Sequence, residues 1–238
     1  MSYKKTFGKN PEAGCWSGYS WNPITGCHHN CEYCYARKTA NFVYRYFPKG
    51  TRFDFRFHPD RFSAIYDTKI PNSTNFTDSL VFVGSMSDVF GDWVPRENIV
   101  LILDALRNAP AFWKFAFLTK NPKKLSEFLF PNNTLVGATV TRQSDVKAVE
   151  ETFQNVSAVK KFICLEPLLG EVKFESLKNF DWMIIGPLNK GRKRYVQPKW
   201  EWVESLVNQA REYGLKIFFR PGLELPSGWT RLIEYPID

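Results

Sequence analysis

Short apolar segments alternate with longer amphipathic segments over most of this chain. Apolar runs of this length are typical of strands buried on both faces of a parallel sheet. The seven predicted strands are Tyr19–Ile24, Leu80–Gly84, Phe115–Leu118, Leu135–Thr139, Lys161–Leu165, Trp182–Gly186 and Lys216–Phe219. Between them, helical spacing of apolar residues predicts helices. These are Arg96–Asn108, Pro122–Leu129, Ser144–Phe153 and Lys199–Tyr213. The alternation predicts an α/β fold, either a parallel sheet or a barrel.

The length of 238 residues is that of one α/β barrel domain. We expect a flexible lead-in over residues 1–14 and a single domain over residues 15–238. The first ten residues are polar and lack the apolar core of a signal peptide. No apolar run approaches the roughly 20 residues of a membrane span. We therefore expect a cytoplasmic protein, a monomer that does not enter a membrane.

Cys27, Cys31 and Cys34 lie within eight residues, in the spacing C-x3-C-x2-C. In a reducing cytosol, clustered cysteines indicate metal binding rather than disulfides. Three thiolates on one loop can hold a 4Fe–4S cluster and leave its fourth iron open. An open iron can chelate the amino and carboxylate groups of S-adenosylmethionine (SAM). One electron passed to the sulfonium then cleaves a C–S bond and yields a 5′-deoxyadenosyl radical.

A zinc ion held by the three cysteines with His28 or His29 is the alternative. That site would belong to a nucleic-acid-binding module without catalytic activity. Structural zinc sites usually combine two short knuckles from separate segments, and this chain has no second pair of closely spaced cysteines. Cys15 and Cys164 stand alone, so the sequence indicates no second cluster.

Several motifs resemble the radical SAM superfamily, and within it the phage-associated three-Cys-motif family. The cysteine spacing, with an aromatic residue before the third cysteine, is the signature of the superfamily. The family-like stretches are Ser20–Cys27, Cys31–Ala36, His58–Phe62, Ser85–Phe90, Phe117–Pro122, Cys164–Gly170 and Asp181–Gly186. The resemblance implies a partial (β/α)6 TIM-like barrel of about seven parallel strands, open on one side. Its chemistry would lie at the carboxyl ends of the strands.

Two features depart from the relatives. Many of them have a longer insert between the first two cysteines. Relatives also often carry a Gly-Gly-Glu-Ser-like turn after the sixth strand, where this chain has Gly-Pro-Leu-Asn at residues 186–189. A SAM or substrate contact at that turn is therefore not carried over.

The strand ends supply the candidate SAM contacts. These are Tyr33, Ser85, Ser87, Asp88, Lys120, Thr139, Thr141 and Glu166. Tyr33 would lie near the adenine, or would simply pack as an aromatic side chain. Hydroxyl and carboxylate groups after the second strand suit the SAM amino group, although Ser87 or Asp88 could instead cap a helix. Lys120 would meet the SAM carboxylate or a substrate phosphate. The alternative for Lys120 is a solvated side chain. Thr139 and Thr141 would bind the SAM ribose or carboxylate, or would instead stabilise a turn.

The fifth strand carries the candidate catalytic residues Cys164 and Glu166. Strand alternation places both on one face with Phe162. A buried thiol at Cys164 could donate a hydrogen atom to a product radical, or could serve as a small apolar side chain. An inward carboxylate is costly without a partner. Glu166 is therefore predicted to hold SAM, substrate, or a nearby arginine or lysine.

A net charge of +8 and an aromatic content of 16% favour a nucleic-acid substrate. The candidate substrate contacts are Lys190, Arg192, Lys193, Arg194 and Arg220. A solvated loop is the alternative for the first four. DNA-photoproduct lyases of the superfamily make DNA a reasonable analogy, and RNA or a nucleotide would also fit. We expect a lyase or a nucleic-acid modification or repair enzyme, with flavodoxin or ferredoxin as electron donor. Modification of a protein or a small metabolite is the alternative.

Overall fold

The computed structural model describes residues 6–10, 15–43, 45–46, 48, 51–191 and 194–237. Its main sheet contains eight strands in the order β1-β2-β5-β6-β7-β8-β9-β12. The strands are β1 (Gly8–Lys9), β2 (Tyr19–Trp21), β3 (Ile24–Thr25), β4 (Arg56–Phe57), β5 (Leu80–Val83), β6 (Lys114–Thr119), β7 (Thr134–Thr139), β8 (Lys160–Leu165), β9 (Trp182–Ile185), β10 (Leu188–Asn189), β11 (Tyr195–Val196) and β12 (Lys216–Phe219). Seven strands of the main sheet are parallel and follow one another in chain order.

Helices lie between most of the successive parallel strands, whereas residues 166–181, between β8 and β9, contain none. The helices are α1 (Tyr35–Val43), α2 (Ala64–Asp67), α3 (Phe76–Ser79), α4 (Arg96–Arg107), α5 (Val146–Phe153) and α6 (Trp200–Glu212). Short 3-10 helices span Pro59–Arg61, Pro122–Glu127 and Gln143–Asp145. The mixed α/β class is therefore confirmed, with a large and mostly parallel sheet. No helix in the described part of the chain has the length and apolar character to cross a bilayer.

The predicted strands all occur, and the first of them is divided. β2 ends at Trp21, and Ile24–Thr25 form a separate strand that pairs with β4. Pro23 lies between the two strands and has no N–H to donate to a sheet ladder. The division turns the chain away from the main sheet just before the cysteines.

The predicted helix over Pro122–Leu129 is a shorter 3-10 helix that ends at Glu127. The Ser126 hydroxyl donates to the Lys123 carbonyl at 3.0 Å. Serine side chains that bond to nearby backbone compete in this way with α-helical bonding.

The amino-terminal segment contributes an edge strand that the sequence did not predict. Gly8–Lys9 pair antiparallel with β2. Phe7 is buried and meets the ring of Trp113 edge-on at a centroid distance of 5.1 Å. Residues 7–9 are therefore not part of a flexible lead-in.

The sheet has an apolar layer on each face. α4, α5 and α6 cover one face with buried aliphatic side chains, such as Ile102, Val149 and Leu206. On the other face, an aromatic cluster includes Trp16 and Trp182. The segment containing Trp16 and the carboxyl-terminal segment thus close this face, and a cavity opens at the carboxyl ends of the strands.

Candidate active site

A cavity of about 610 Å³ lies at the carboxyl ends of the parallel strands. Its size is within the usual range for small-molecule sites, about 300–1,000 Å³. Twelve of the predicted site residues line it. They are Cys27, Cys31, Tyr33, Cys34, Ser85, Ser87, Asp88, Lys120, Thr139, Cys164, Glu166 and Arg220. The fold thus brings together residues that lie up to 193 positions apart in the sequence.

The segment of residues 26–34, here the cysteine loop, is anchored to the end of β5. The Gly26 N–H donates to the Met86 carbonyl at 3.0 Å, and the Ser87 hydroxyl donates to the Gly26 carbonyl at 2.5 Å. On its other side, the Cys27 N–H donates to the Phe53 carbonyl at 3.2 Å. The loop is therefore held between two backbone segments at the wall of the cavity.

Arg37 connects the first and third cysteines of this loop. Its backbone N–H donates to Cys34 Sγ at 3.3 Å, and its guanidinium donates to the Cys27 carbonyl at 3.1 Å. Arg37 Nε is buried and has no hydrogen-bond partner among the described residues. A cationic side chain with a spare donor suits a site that gathers thiolates.

The three thiols fit an iron–sulfur cluster in type, since cysteine thiolates are the usual ligands of such clusters, and all three line the same cavity. Burial raises the pKa of Cys27 to about 11, and the negative charge of Asp88 also acts to raise it. A positively charged partner would favour the thiolate form at this position. Among the described residues, no three His, Cys, Asp or Glu side chains are grouped as ligands of a single metal ion.

Asp88 joins the cysteine loop to β5 and β6. Its Oδ2 lies 2.7 Å from His29 Nε2 and accepts hydrogen bonds from the Thr119 hydroxyl at 2.9 Å and the Lys120 N–H at 2.8 Å. Its Oδ1 accepts from the Phe90 N–H at 3.0 Å. The carboxylate is therefore held by protein groups, and its contact with the SAM amino group stays a prediction. The partnership with His29 was not predicted, because no local pattern connects residues 59 positions apart.

Ser85 belongs to a hydrogen-bonded group at the turn after β5. Asn22 Nδ2 donates to the Ser85 hydroxyl at 3.0 Å, and Asn22 Oδ1 accepts from the Met86 N–H at 2.7 Å. The Tyr35 hydroxyl donates to the Ser85 carbonyl at 2.6 Å. The first residue of α1 thus reaches across the rim of the cavity to the end of β5.

Lys120 and Tyr33 both line the cavity, and their side chains contact each other. The Lys120 ammonium lies 5.4 Å from the centroid of the Tyr33 ring, which is a cation–π contact. Thr139 lines the same cavity. Thr141 does not, because its N–H and hydroxyl donate to Asp145 Oδ2 at 2.8 and 2.9 Å. Thr141 thus has the turn role that was the alternative to a cofactor contact.

Glu166 and Arg220 form an ion pair above the end of β9. Arg220 Nε donates to Glu166 Oε1 at 2.9 Å, and both side chains are largely shielded from solvent. A Cβ at Gly186 would approach the Arg220 Cγ to 2.7 Å, so the pair lies directly against this glycine. An arginine partner for Glu166 was among the predicted options.

Cys164 is buried on the same face as Phe162, and Glu166 follows them into the cavity. This arrangement confirms the predicted alternation along β8. Burial raises the pKa of the Cys164 thiol well above its ordinary value, and the Glu166 carboxylate adds to the effect. The thiol therefore stays protonated at neutral pH and retains its S–H bond.

The predicted basic loop is a β-hairpin at the cavity rim. β10 pairs antiparallel with β11, and Pro187, Leu188 and Asn189 line the cavity. Lys190 and Arg194 lie at the exposed end of the hairpin and are joined by a backbone hydrogen bond of 2.8 Å. Arg192 and Lys193 are outside the described residues.

Sequence reasoning did not include Lys9, Asn10 or Phe53 among the residues of the cavity, although they line it. An edge strand of two residues carries no periodic signal. The Asn10 side chain donates to the Ser17 carbonyl at 2.7 Å and so fixes the amino-terminal segment beside the cavity.

Comparisons with known proteins identify similar folds. No curated protein matches the chain. Spore photoproduct lyase complexed with dinucleoside spore photoproduct is 13% identical, with a TM-score of 0.52 over 92% of this chain and 81% of that chain. A cysteine-to-alanine mutant of that lyase with the same dinucleoside has 13% identity, a TM-score of 0.51 and the same coverage. At this identity the similarity shows a shared fold. Over residues 14–224 the chain matches the family described as "Protein of unknown function (DUF5131)", and it belongs to that family.

Proposed function

We propose that this protein is a radical SAM enzyme that binds one 4Fe–4S cluster through Cys27, Cys31 and Cys34. The observation that carries the proposal is their location: the three thiols share one cavity with polar groups from the ends of the parallel strands. Seven parallel strands in chain order are compatible with a barrel left open on one side. The shared fold with a photoproduct lyase supports the same superfamily.

When bound, the cluster supplies the electron that cleaves SAM into methionine and a 5′-deoxyadenosyl radical. The residues of the chain bind and orient the ligands. Lys120 provides a positive charge for the SAM carboxylate, and Tyr33 an aromatic face for the adenine. Ser85, Ser87 and Thr139 contribute polar groups on the same wall. Asp88 keeps the cysteine loop in register with the end of β6.

Cys164 is proposed as the hydrogen-atom donor. Its protonated thiol lines the cavity, beside the carboxylate of Glu166. Transfer of a hydrogen atom from Sγ to a carbon radical forms a C–H bond and leaves a thiyl radical. Glu166 and Arg220 would orient the substrate, since the two side chains together offer an acceptor and donors at the cavity wall.

A nucleic acid or nucleotide is the proposed substrate. The chain has a net charge of +8, and the hairpin at the cavity rim carries Lys190 and Arg194, with Arg192 and Lys193 between them in sequence. A basic rim suits a phosphate backbone. The similar lyase structure holds a dinucleoside photoproduct, which supports a substrate of this class. A cytoplasmic flavodoxin or ferredoxin would supply electrons.

The test is anaerobic reconstitution with iron and sulfide, followed by dithionite, SAM and an assay for 5′-deoxyadenosine. The wild-type protein should bind iron and sulfide and form deoxyadenosine. Cys31→Ala should lose both properties. Cys15→Ala is the matched control, because Cys15 lines the same cavity outside the cysteine loop and should leave both intact.

Two results would contradict the proposal. Tightly bound zinc, with no sulfide and no absorbance near about 400 nm, would favour the nucleic-acid-binding module. Equal iron binding by the wild-type protein and Cys31→Ala would show that the cysteine loop does not hold the cluster.

A further inference from the structure

The solvent side of α1 carries a row of exposed aromatic and basic side chains. Tyr35, Lys38 and Phe42 stand at positions i, i+3 and i+7, so they lie on one side of the helix. Tyr35 is 59% exposed and Phe42 is 72% exposed. The buried side of the helix consists of Ala36 and Ala40. Small residues on the buried side bring α1 close to the protein, while its large rings face solvent.

The row continues past the end of the helix. The Arg45 guanidinium lies 5.3 Å from the centroid of the Phe42 ring and 4.7 Å from that of the Tyr46 ring. Tyr46 is 85% exposed. Cation–π contacts at such exposed sites contribute only about 0.5–1 kcal/mol. Large exposed aromatic side chains grouped on one side of an element are candidates for a binding surface.

The charge of this region indicates an anionic partner. Residues 35–56 contain six basic residues and one acidic residue, a net charge of +5 out of the formal +8 of the chain. Exposed rings interspersed with cations match the chemistry of a nucleic-acid strand, whose bases stack on aromatic side chains and whose phosphates attract lysine and arginine. An acidic protein would match the charge but would leave the rings without partners.

The row also begins at the proposed active site. Tyr35 lines the cavity, and its hydroxyl is held by the Ser85 carbonyl. From Tyr35 to Phe42 the helix rises about 10 Å at 1.5 Å per residue. That distance is longer than a single nucleotide, so the row can contact more than one nucleotide of a strand. A strand with one nucleotide at the cavity would thus extend its neighbours along α1.

We propose that Tyr35, Lys38, Phe42, Arg45 and Tyr46, the α1 track, bind a single strand of nucleic acid beside the cavity. Base stacking makes the track tolerant of sequence, because every base offers a π-face. A closed duplex keeps its bases stacked inside and cannot use the rings. The identity of the nucleotide at the cavity rests on the proposed function, whereas strand binding along α1 can be measured without catalysis.

The test uses cluster-loaded full-length protein and fluorescence anisotropy with a labelled 12-nucleotide oligothymidylate, its oligouridylate counterpart and a DNA duplex. Phe42→Ala should weaken binding of a single strand about tenfold, as expected for the loss of one stacking contact. Lys38→Gln should reduce the slope of log K against log salt by about 0.7. The two single strands distinguish DNA from RNA.

Tyr213→Ala is the matched control and should bind like the wild type. Tyr213 is also an exposed tyrosine, but it follows α6 at the amino-terminal edge of β12, away from the carboxyl ends where the cavity lies. Deoxyadenosine formation by Phe42→Ala should equal that of the wild type, because Phe42 does not line the cavity.

Single-strand binding that Phe42→Ala leaves unchanged would overturn the α1 track, even if the protein cleaves SAM. A second result would also overturn the α1 track. If an acidic flavodoxin reduces the cluster of the Phe42→Ala variant more slowly than that of the wild type, while strand binding is unchanged, α1 is a surface for the electron donor. Loss of strand binding in Phe42→Ala, in a protein that forms no deoxyadenosine, would support the track and contradict only the catalytic proposal.

Discussion

At the scale of single residues, Gly26 has the least freedom to change in the cysteine loop. Its φ of +92° lies in the left-handed region, and a Cβ there would come within 2.0 Å of the Asp54 carbonyl oxygen. That atom belongs to backbone, which cannot rotate away as a side chain could. The position just before Cys27 therefore combines an unfavourable dihedral with a direct collision.

We predict that Gly26→Ala is less stable than Gly228→Ala. Gly228 has a similar φ of +87° but open space around its would-be Cβ, so its substitution measures the dihedral cost alone. That cost is about 1–2 kcal/mol. Gly26→Ala must also displace the backbone of residues 54–55, and it should lose more unfolding free energy and bind less iron. Chemical denaturation and iron analysis test this, and equal losses in the two variants would contradict it.

At the scale of elements, the amino-terminal edge strand extends the sheet beside β2. Phe7 stacks edge-on against the rings of Trp113 and Phe115. Its N–H donates to the Thr68 hydroxyl at 2.8 Å, which ties the segment to the end of α2. Phe7 is thus part of the core, and the segment around it places Lys9 and Asn10 at the cavity.

We predict that Phe7→Ala lowers the free energy of unfolding by about 3 kcal/mol, a typical cost for removing a buried aromatic ring. The neighbouring Thr6 is exposed, so Thr6→Ala should change stability by less than about 0.5 kcal/mol. Urea denaturation of both variants compares the two values. A small loss for Phe7→Ala would mean that the segment detaches without disturbing the core.

At the scale of the whole molecule, the cavity joins the parallel strands, the cysteine loop and the amino-terminal segment. A ligand held there contacts elements from almost the entire chain. Ligands that bind only the folded state stabilise it by about 2.7 kcal/mol at 100 times their Kd. Cofactor binding at this site should therefore appear in global unfolding.

We predict that cluster loading followed by SAM raises the melting temperature of the wild-type protein in two steps. Removal of iron by a chelator should reverse both steps, because SAM would bind through the open iron. Cys31→Ala should have the same melting temperature after attempted cluster loading, after addition of SAM and after treatment with the chelator. Anaerobic differential scanning fluorimetry measures these shifts, and a SAM-dependent shift in Cys31→Ala would mean that SAM binds without the cluster.

The sequence by itself determined the seven parallel strands of the main sheet, the α/β class and the polar residues at the ends of those strands. These properties follow from local periodicity and from alternation along single strands, as at Phe162 and Cys164 on β8. The carboxyl ends of parallel strands meet at one edge of a sheet. A correct prediction of the fold class therefore also predicts that the residues at these ends lie close together. The cysteine motif could also be recognised from the sequence, because its three cysteines lie on a single loop.

Only the tertiary structure decided which of these groups are partners. The contacts of His29 with Asp88 and of Arg220 with Glu166 join residues 59 and 54 positions apart. Thr141 was predicted to line the cavity but instead donates a hydrogen bond to Asp145. Phe7 was predicted to be in a flexible segment but is buried in the core. Such outcomes depend on how side chains from distant segments pack together, and no pattern within one segment encodes that packing.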